Sequence, residues 1–404
     1  MPADCVLAVV SFAGHFRVLA QFFLSYALNV IDPQACSLLV MVSTREEASS
    51  LSTMLHSTEY GPRLAVLLQQ LTVVDLPSAL VQLSPRTATT LPTAKNRGAH
   101  GRLYVCVKKA YAVRYAHEVL NAELAIVTDS EAYVWKPLSI AQLFRNTSAR
   151  PSVWYADAPA HSRPLPPARS TPHAHKADVF GDSNAAKMWC SIHVFEDARK
   201  WPTRRALHEH VPADAASLFE YMLFAYPRRQ FRAYWESVET RWHRPWFDAV
   251  VAAHEAEPRC VGVGFWLEVS WHLYLYGHHR HTHAFLNVTA AIQASFGERF
   301  VLQGAYVHAR LELLWRAVSN TTAASFRDFY ARQPLPLFRY EHRARGHCLP
   351  LRLLASLPAP AASLQVNSAV PNWVFSACAK DLAQMPRHNT SAPWPWVRHS
   401  TATR

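Results

Sequence analysis

The sequence predicts an α/β protein, a mostly parallel central sheet flanked by helices, followed by a helical, aromatic-rich second half. Three observations carry this expectation. Over residues 1–157, short apolar runs alternate with stretches whose hydrophobic residues recur at helical spacing. The runs are continuous rather than alternating, as suits strands buried on both faces of a sheet. Beyond Ala206, aromatic residues stand three and four apart, as on the faces of helices.

The first strand is expected over Val6–Phe12 (VLAVVSF), and Phe16, Leu19, Phe23 and Tyr26 then fall on one helical stripe. Leu38–Val42 reads as a second buried strand, Glu46–Leu55 as a helix and Leu71–Asp75 as a third strand. The Pro-, Thr- and Ala-rich stretch Ser84–His100 reads as a surface loop. Val107, Tyr111, Tyr115 and Val119, four apart, mark a helix that also carries Lys108 and Lys109. Leu124–Thr128 is a buried strand that runs straight into Asp129, Ser130 and Glu131, and Ser152–Ala156 is a further strand.

Five prolines and three histidines crowd Ala158–Lys176, a linker-like stretch. After it, Asp214 is placed as a helix cap following Pro212. Phe231, Trp235, Val238 and Trp242 form one helical face, and Val307, Leu311, Leu314 and Val318 another. The implied organisation is one large domain over 1–345, made of a first half (1–157), a Pro-rich loop (158–182) and a second half (183–345). An irregular tail follows over 346–404.

Composition narrows the function classes. Half of the 404 residues are hydrophobic and 17% are charged, which excludes wholesale disorder. Lys plus Arg exceed Asp plus Glu by 41 − 29 = +12, a balance that favours phosphate-bearing substrates, anionic membrane surfaces or nucleic acid. The charge is scattered, and RRM, KH and zinc-finger patterns are absent, so no nucleic-acid partner is expected. Neither a secretory leader nor a stretch of about 20 uninterrupted apolar residues is visible, since His15 and Arg17 interrupt the first apolar region. A cytoplasmic or Golgi/ER-associated protein is expected, peripheral to the membrane or anchored by a segment outside this chain. The seven cysteines show no CxxC pair and read as small buried hydrophobes. Sequons at Asn146, Asn287, Asn320 and Asn389 leave the compartment open.

The segment Ala125–Pro137, AIVTDSEAYVWKP, carries the chemistry. A strand buried on both faces delivers its end to the rim of the sheet, where open α/β folds bind ligands. Two carboxylates two residues apart, Asp129 and Glu131, can approach one hard divalent cation there and leave positions for phosphate oxygens. No GxGxxG or GxxxxGK[ST] pattern supports a dinucleotide or P-loop site instead.

With that motif the chain resembles the nucleotide-sugar-dependent glycosyltransferases of the A-type fold, whose acidic motif, usually Asp-any-Asp, ends a strand; here it reads Asp129-Ser130-Glu131. The likeness is specific over about 103–145 and extends in outline over 1–300. It implies a UDP- or GDP-linked sugar donor, Mn²⁺ or Mg²⁺, and a glycan, protein or small-molecule acceptor. It also implies that Ser11 and Phe12 lie near the donor base and ribose, and that Lys108 or Lys109 reaches the diphosphate.

In the second half, Glu268 sits inside the apolar run VGFWLEVSWHLYLY, where a lone carboxylate is costly without a partner. It is the candidate base toward an acceptor hydroxyl, or else the partner of an arginine such as Arg259 or Arg310. His278, His279, His281 and His283 follow, and by the resemblance one late histidine, with His283 as the candidate, completes the metal shell. The tryptophans Trp235, Trp242, Trp246, Trp266 and Trp271 could stack on sugars, with core packing as the plainer role. Two other functions fit parts of the pattern: a hydrolase working with paired carboxylates such as Glu131 and Glu268, and a polyanion-binding protein.

Overall fold

The computed structural model describes residues 4–84, 97–130, 132–134, 139–149, 151–157, 183–197, 215–218, 224–257, 260, 265–287, 338–340 and 373–376. The chain opens with strand β1 (Cys5–Val10), every residue of it buried, and helix α1 (Phe16–Asn29). β2 (Ser37–Val42), α2 (Arg45–Leu55), α3 (Gly61–Leu68), β3 (Leu71–Asp75) and α4 (Leu76–Leu83) follow. Two of these helices begin on side-chain caps. Thr44 accepts a hydrogen bond from the Glu47 N–H at the start of α2, and Asp75 accepts one from the Ser78 N–H at the start of α4.

α5 (Arg97–Glu118) leads to β4 (Leu124–Asp129) through a turn at Asn121, whose φ of 56° lies in the left-handed region that asparagine tolerates. The His117 ring bonds the Ala122 carbonyl in the same turn, at 2.8 Å. The helix starts at Arg97, inside the stretch expected to be loop. β5 (Ala132–Val134) and α6 (Ile140–Ala149) come next. The carboxylate of Asp32, distant in sequence, caps α6 by accepting from the N–H groups of Ile140 and Ala141 and from the Ser139 hydroxyl.

The main sheet has the order β3-β2-β1-β4-β8, where β8 is Phe224–Pro227. β1 pairs in parallel with both β2 and β4, β2 pairs in parallel with β3, and β8 runs antiparallel to β4. Alternate residues of the strands feed two cores. Leu7, Val9, Leu38, Val40, Leu124 and Ile126 pack with α1, α3 and α6. Val6, Ala8, Val10, Leu39, Met41 and Val127 pack with α5 and with the helices of the second half. The expected mostly parallel sheet, covered by helices on both faces, is the one that forms.

The second half contributes α7 (Ser183–Phe195), α8 (Arg228–Trp242), α9 (Trp246–Glu255) and α10 (Leu267–His279). Aromatic rings knit these helices to α5. Trp235 and Trp246 stack with centroids 4.6 Å apart, and Tyr111 meets Trp235 edge-on at 5.2 Å. Trp235, Trp246 and Trp271 are buried, while Trp242 and Trp266 pack partly buried against the same core. Cys190 and Cys260 form a disulfide across 70 residues, whereas Cys5, Cys36 and Cys106 are buried, the Cys106 thiol donating to the Phe265 carbonyl. The helix expected after Asp214 gives way to a strand, β7 (Ala215–Leu218). It pairs antiparallel with β6 (Ser152–Asp157), which also pairs with β9 (Ala284–Asn287). A third small sheet joins β5 with β10 (Phe338–Tyr340) and β11 (Trp373–Ser376). The stripe Val307–Val318 lies outside the described residues. No described helix is long and apolar enough to cross a membrane.

Burial within this helical half has a consequence for acid stability. His272 on α10 is fully buried, and burial first, then the neighbouring His283, pushes its pKa down to about 3. Its folded value lies below the ordinary one near 6.5, so protons favour the unfolded chain. The stability His272 allows is intact above about pH 6.5 and is lost as pH falls from there toward about 3. The loss reaches roughly 1.4 kcal/mol per pH unit for one such group. Urea midpoints at pH 7.5, 6 and 5 should fall more steeply for the native chain than for His272→Gln; parallel slopes would count against this account.

Candidate active site

Strand order reverses at β1: the chain lays β2 and β3 on one side of it and returns to place β4 on the other. In open α/β sheets the ligand crevice lies outside the carboxyl ends of the strands that flank such a reversal. Val10, the last residue of β1, pairs in register with Asp129, the last residue of β4. The exits of the two strands, Ser11–Phe12 and Ser130, therefore stand side by side. Glu131 lies outside the described residues.

A network of buried polar contacts sets the shape of this rim. Ser11 N–H donates to the Met41 carbonyl at 3.0 Å, joining the exit of β1 to β2. Lys108 on α5, only 2% exposed, donates from Nζ to the Ser11 carbonyl at 2.7 Å and to Ser43 Oγ at 3.1 Å. One helical turn earlier, the Tyr104 hydroxyl donates to the Ser43 carbonyl at 3.0 Å. Glu47 accepts from Ser43 N–H at 2.8 Å and from Ala13 N–H at 3.0 Å, so one carboxylate clamps the turns after β1 and β2.

The same turn reaches the acidic motif. The rings of Phe12 and His15 lie 4.1 Å apart, and His15 Nδ1 shares a hydrogen bond of 3.1 Å with Ser130 Oγ. The Lys108 ammonium lies 5.9 Å from the Phe12 ring centroid and 5.6 Å from that of Tyr104. A Cβ at Gly14 would come within 2.7 Å of the Phe12 ring edge, so glycine there leaves room for that ring. Two hydroxyls at this edge, Ser11 Oγ and Thr128 Oγ1, are buried without a hydrogen-bond partner among the described residues. Leaving such groups unmet is expensive, which marks the place as one where further polar atoms would be accommodated.

Lys109 leads elsewhere. Its ammonium bonds Glu268 Oε1 on α10, and both side chains are buried, at 8% and 3% exposure. Glu268 thus has a lysine for its partner; Arg259 and Arg310, the arginines expected from sequence, lie outside the described residues. Glu268 Oε2 is buried with no hydrogen-bond partner among the described residues. The late histidines divide. His278 and His281 are exposed, while His283 is buried, its Nδ1 bonded to Thr282 Oγ1 at 3.0 Å and its ring near that of Phe285. Burial pushes the His283 pKa down to about 4. Among the described residues, no group of three or more His, Cys, Asp or Glu side chains converges to hold a metal ion.

Of the residues expected from sequence, the structure gathers Ser11, Phe12, Lys108 and the backbone of Asp129 at one rim. It sets Lys109 with Glu268 in the helical core and His283 beside β9. His15, Ser43, Glu47, Tyr104, Thr128 and Ser130 join the rim without having been singled out. Only Glu47 carried a readable signal, the Thr-x-x-Glu pattern of a helix start.

No family model matches this chain, and no curated protein does. Among solved structures, it resembles the crystal structure of mouse xyloside xylosyltransferase 1 in its apo form. That match has 12% sequence identity and a TM-score of 0.35, over 70% of this chain and 85% of that one.

Proposed function

We propose that the chain is a glycosyltransferase that takes a sugar from a nucleotide-diphospho-sugar donor, UDP- or GDP-linked, and passes it to an acceptor hydroxyl. The placement of Asp129 carries this reading. It ends a buried parallel strand at the reversal of strand order, in register with the end of β1. Asp129 and Glu131 would hold Mn²⁺ or Mg²⁺. The donor set fits a hard cation: carboxylates two residues apart, at an edge where the Ser11 and Thr128 hydroxyls lack partners among the described residues. A bound cation would neutralise the diphosphate as it departs. Ser11 and Phe12 then border the base and ribose, with the Phe12 ring as a stacking surface. Lys109 and Glu268 serve the fold in this reading, as their buried ion pair supports, and the acceptor is a glycan, protein or small-molecule hydroxyl.

Thermal unfolding with UDP, GDP and CMP, each with and without Mn²⁺, tests the proposal. A nucleotide at a hundred times its dissociation constant adds about 2.7 kcal/mol, a rise of several degrees in Tm. The expected result is a metal-dependent rise with one nucleotide that disappears in Asp129→Asn while that variant's own Tm stays within a few degrees of the native value. A rise that survives Asp129→Asn would remove the site assignment, and no rise with any nucleotide would remove the donor class.

A further inference from the structure

We infer that Lys108 is a positioning residue for the nucleoside end of the site, holding the turn after β1 in place instead of meeting the diphosphate itself. The inference rests on the donor reading above and adds a division of labour within it. An ammonium has three donors, and two of those of Lys108 point to the Ser11 carbonyl and Ser43 Oγ. At 2% exposure it lies beneath the rim rather than on it. To reach a phosphate it would have to give up charge-assisted bonds and leave the Ser11 carbonyl unmet.

What Lys108 touches shows what it positions. Ser11 begins the turn that carries Phe12 and His15, and His15 is bonded to Ser130 beside the acidic motif. Ser43 is in turn held by Tyr104 through its carbonyl and by Glu47 through its N–H, and Glu47 also holds Ala13 in the same turn. The exits of β1 and β2 are thus fixed to one another and to α5 from below. A rim fixed in this way loses little conformational freedom when a ligand binds, which is how preorganisation raises affinity.

A direct phosphate contact and a positioning role differ in one measurable respect. Loss of a phosphate contact weakens a nucleoside diphosphate and leaves the nucleoside alone. Loss of a residue that shapes the nucleoside end weakens both by the same factor. Dissociation constants for uridine with UDP, and for guanosine with GDP, should therefore be measured by calorimetry on the native chain and on Lys108→Met, with Mn²⁺ present. We expect both members of the bound pair to weaken by about tenfold, the equivalent of one charge-assisted hydrogen bond, with their ratio unchanged.

A loss confined to the diphosphate would overturn the inference and make Lys108 a phosphate ligand, while the donor reading survived. A folded Lys108→Met with unchanged constants would overturn it as well. If the native chain binds neither pair, the donor reading fails first and takes the inference with it. Should Lys108→Met not fold, Ser43→Ala and Tyr104→Phe replace it, since each removes one tie of the same network. Each is expected to weaken nucleoside and diphosphate alike, by a smaller factor, and unchanged constants in both would overturn the inference.

Discussion

Replacing Lys109 with methionine is expected to destabilise the protein by about 3–5 kcal/mol, because it strands the Glu268 carboxylate inside the helical core. The pair joins α5 to α10 with both partners buried, and the second oxygen of Glu268 has no hydrogen-bond partner among the described residues. Removing both charges is a different matter. The double variant Lys109→Met with Glu268→Leu keeps the volume and leaves no ion to desolvate, so most of the lost stability should return. Urea denaturation of the two single variants and the double variant reads this as a cycle. Single losses below about 1 kcal/mol, with no recovery in the double variant, would show that the ion pair does not brace the core. The same cycle bears on function: if Glu268→Gln folds stably yet abolishes transfer, the carboxylate has a chemical role in addition to its structural one.

Loss of the Cys190–Cys260 bond is expected to be of similar size. The bond closes a loop of 70 residues, and a chain-entropy account gives about 4 kcal/mol for restricting an unfolded chain over that separation. Against a typical stability of about 5–15 kcal/mol, this is a large share. Cys190→Ser with Cys260→Ser should lower the urea midpoint markedly, and dithiothreitol should do the same to the native chain but leave the double variant unchanged. Equal midpoints for oxidised and reduced native chain would mean that the two thiols are not joined in solution. The partners lie on α7 and just after α9, so a measured loss would also establish that the helices of the second half are tied together covalently.

β1, β2 and β4 were legible because each is buried on both faces, and that leaves continuous runs such as VLAVV and LAIV in the sequence; β3, half-buried at the edge of the sheet, still shows as the short run LTVV. Asp129 was legible for the same reason, as the first charge after such a run. β8 was not. Its four residues end in Pro227, and as an edge strand pairing on one side only it needs no long apolar run. β7 was misread because Pro212 and Asp214 resemble a helix start, whereas pairing with β6 decided its conformation. The disulfide depends on how two helical segments pack, and nothing in a spacing of 70 residues announces that. The rim network had the same difficulty. His15 meets Ser130, and Lys108 meets Ser11, because register and helix packing bring together residues 115 and 97 positions apart.

The antiparallel strand β8 comes from the second half of the chain and hydrogen-bonds to β4, the strand that delivers Asp129. The sheet is therefore shared between the two halves, and the boundary drawn from composition is not a place where the molecule comes apart. An expression fragment that stopped at Asp157 would leave Leu124–Val127 as a bare apolar edge, the kind of surface through which chains stick to one another. A fragment that keeps this edge covered has to run to Pro227 or beyond, carrying part of the aromatic half along with the first half.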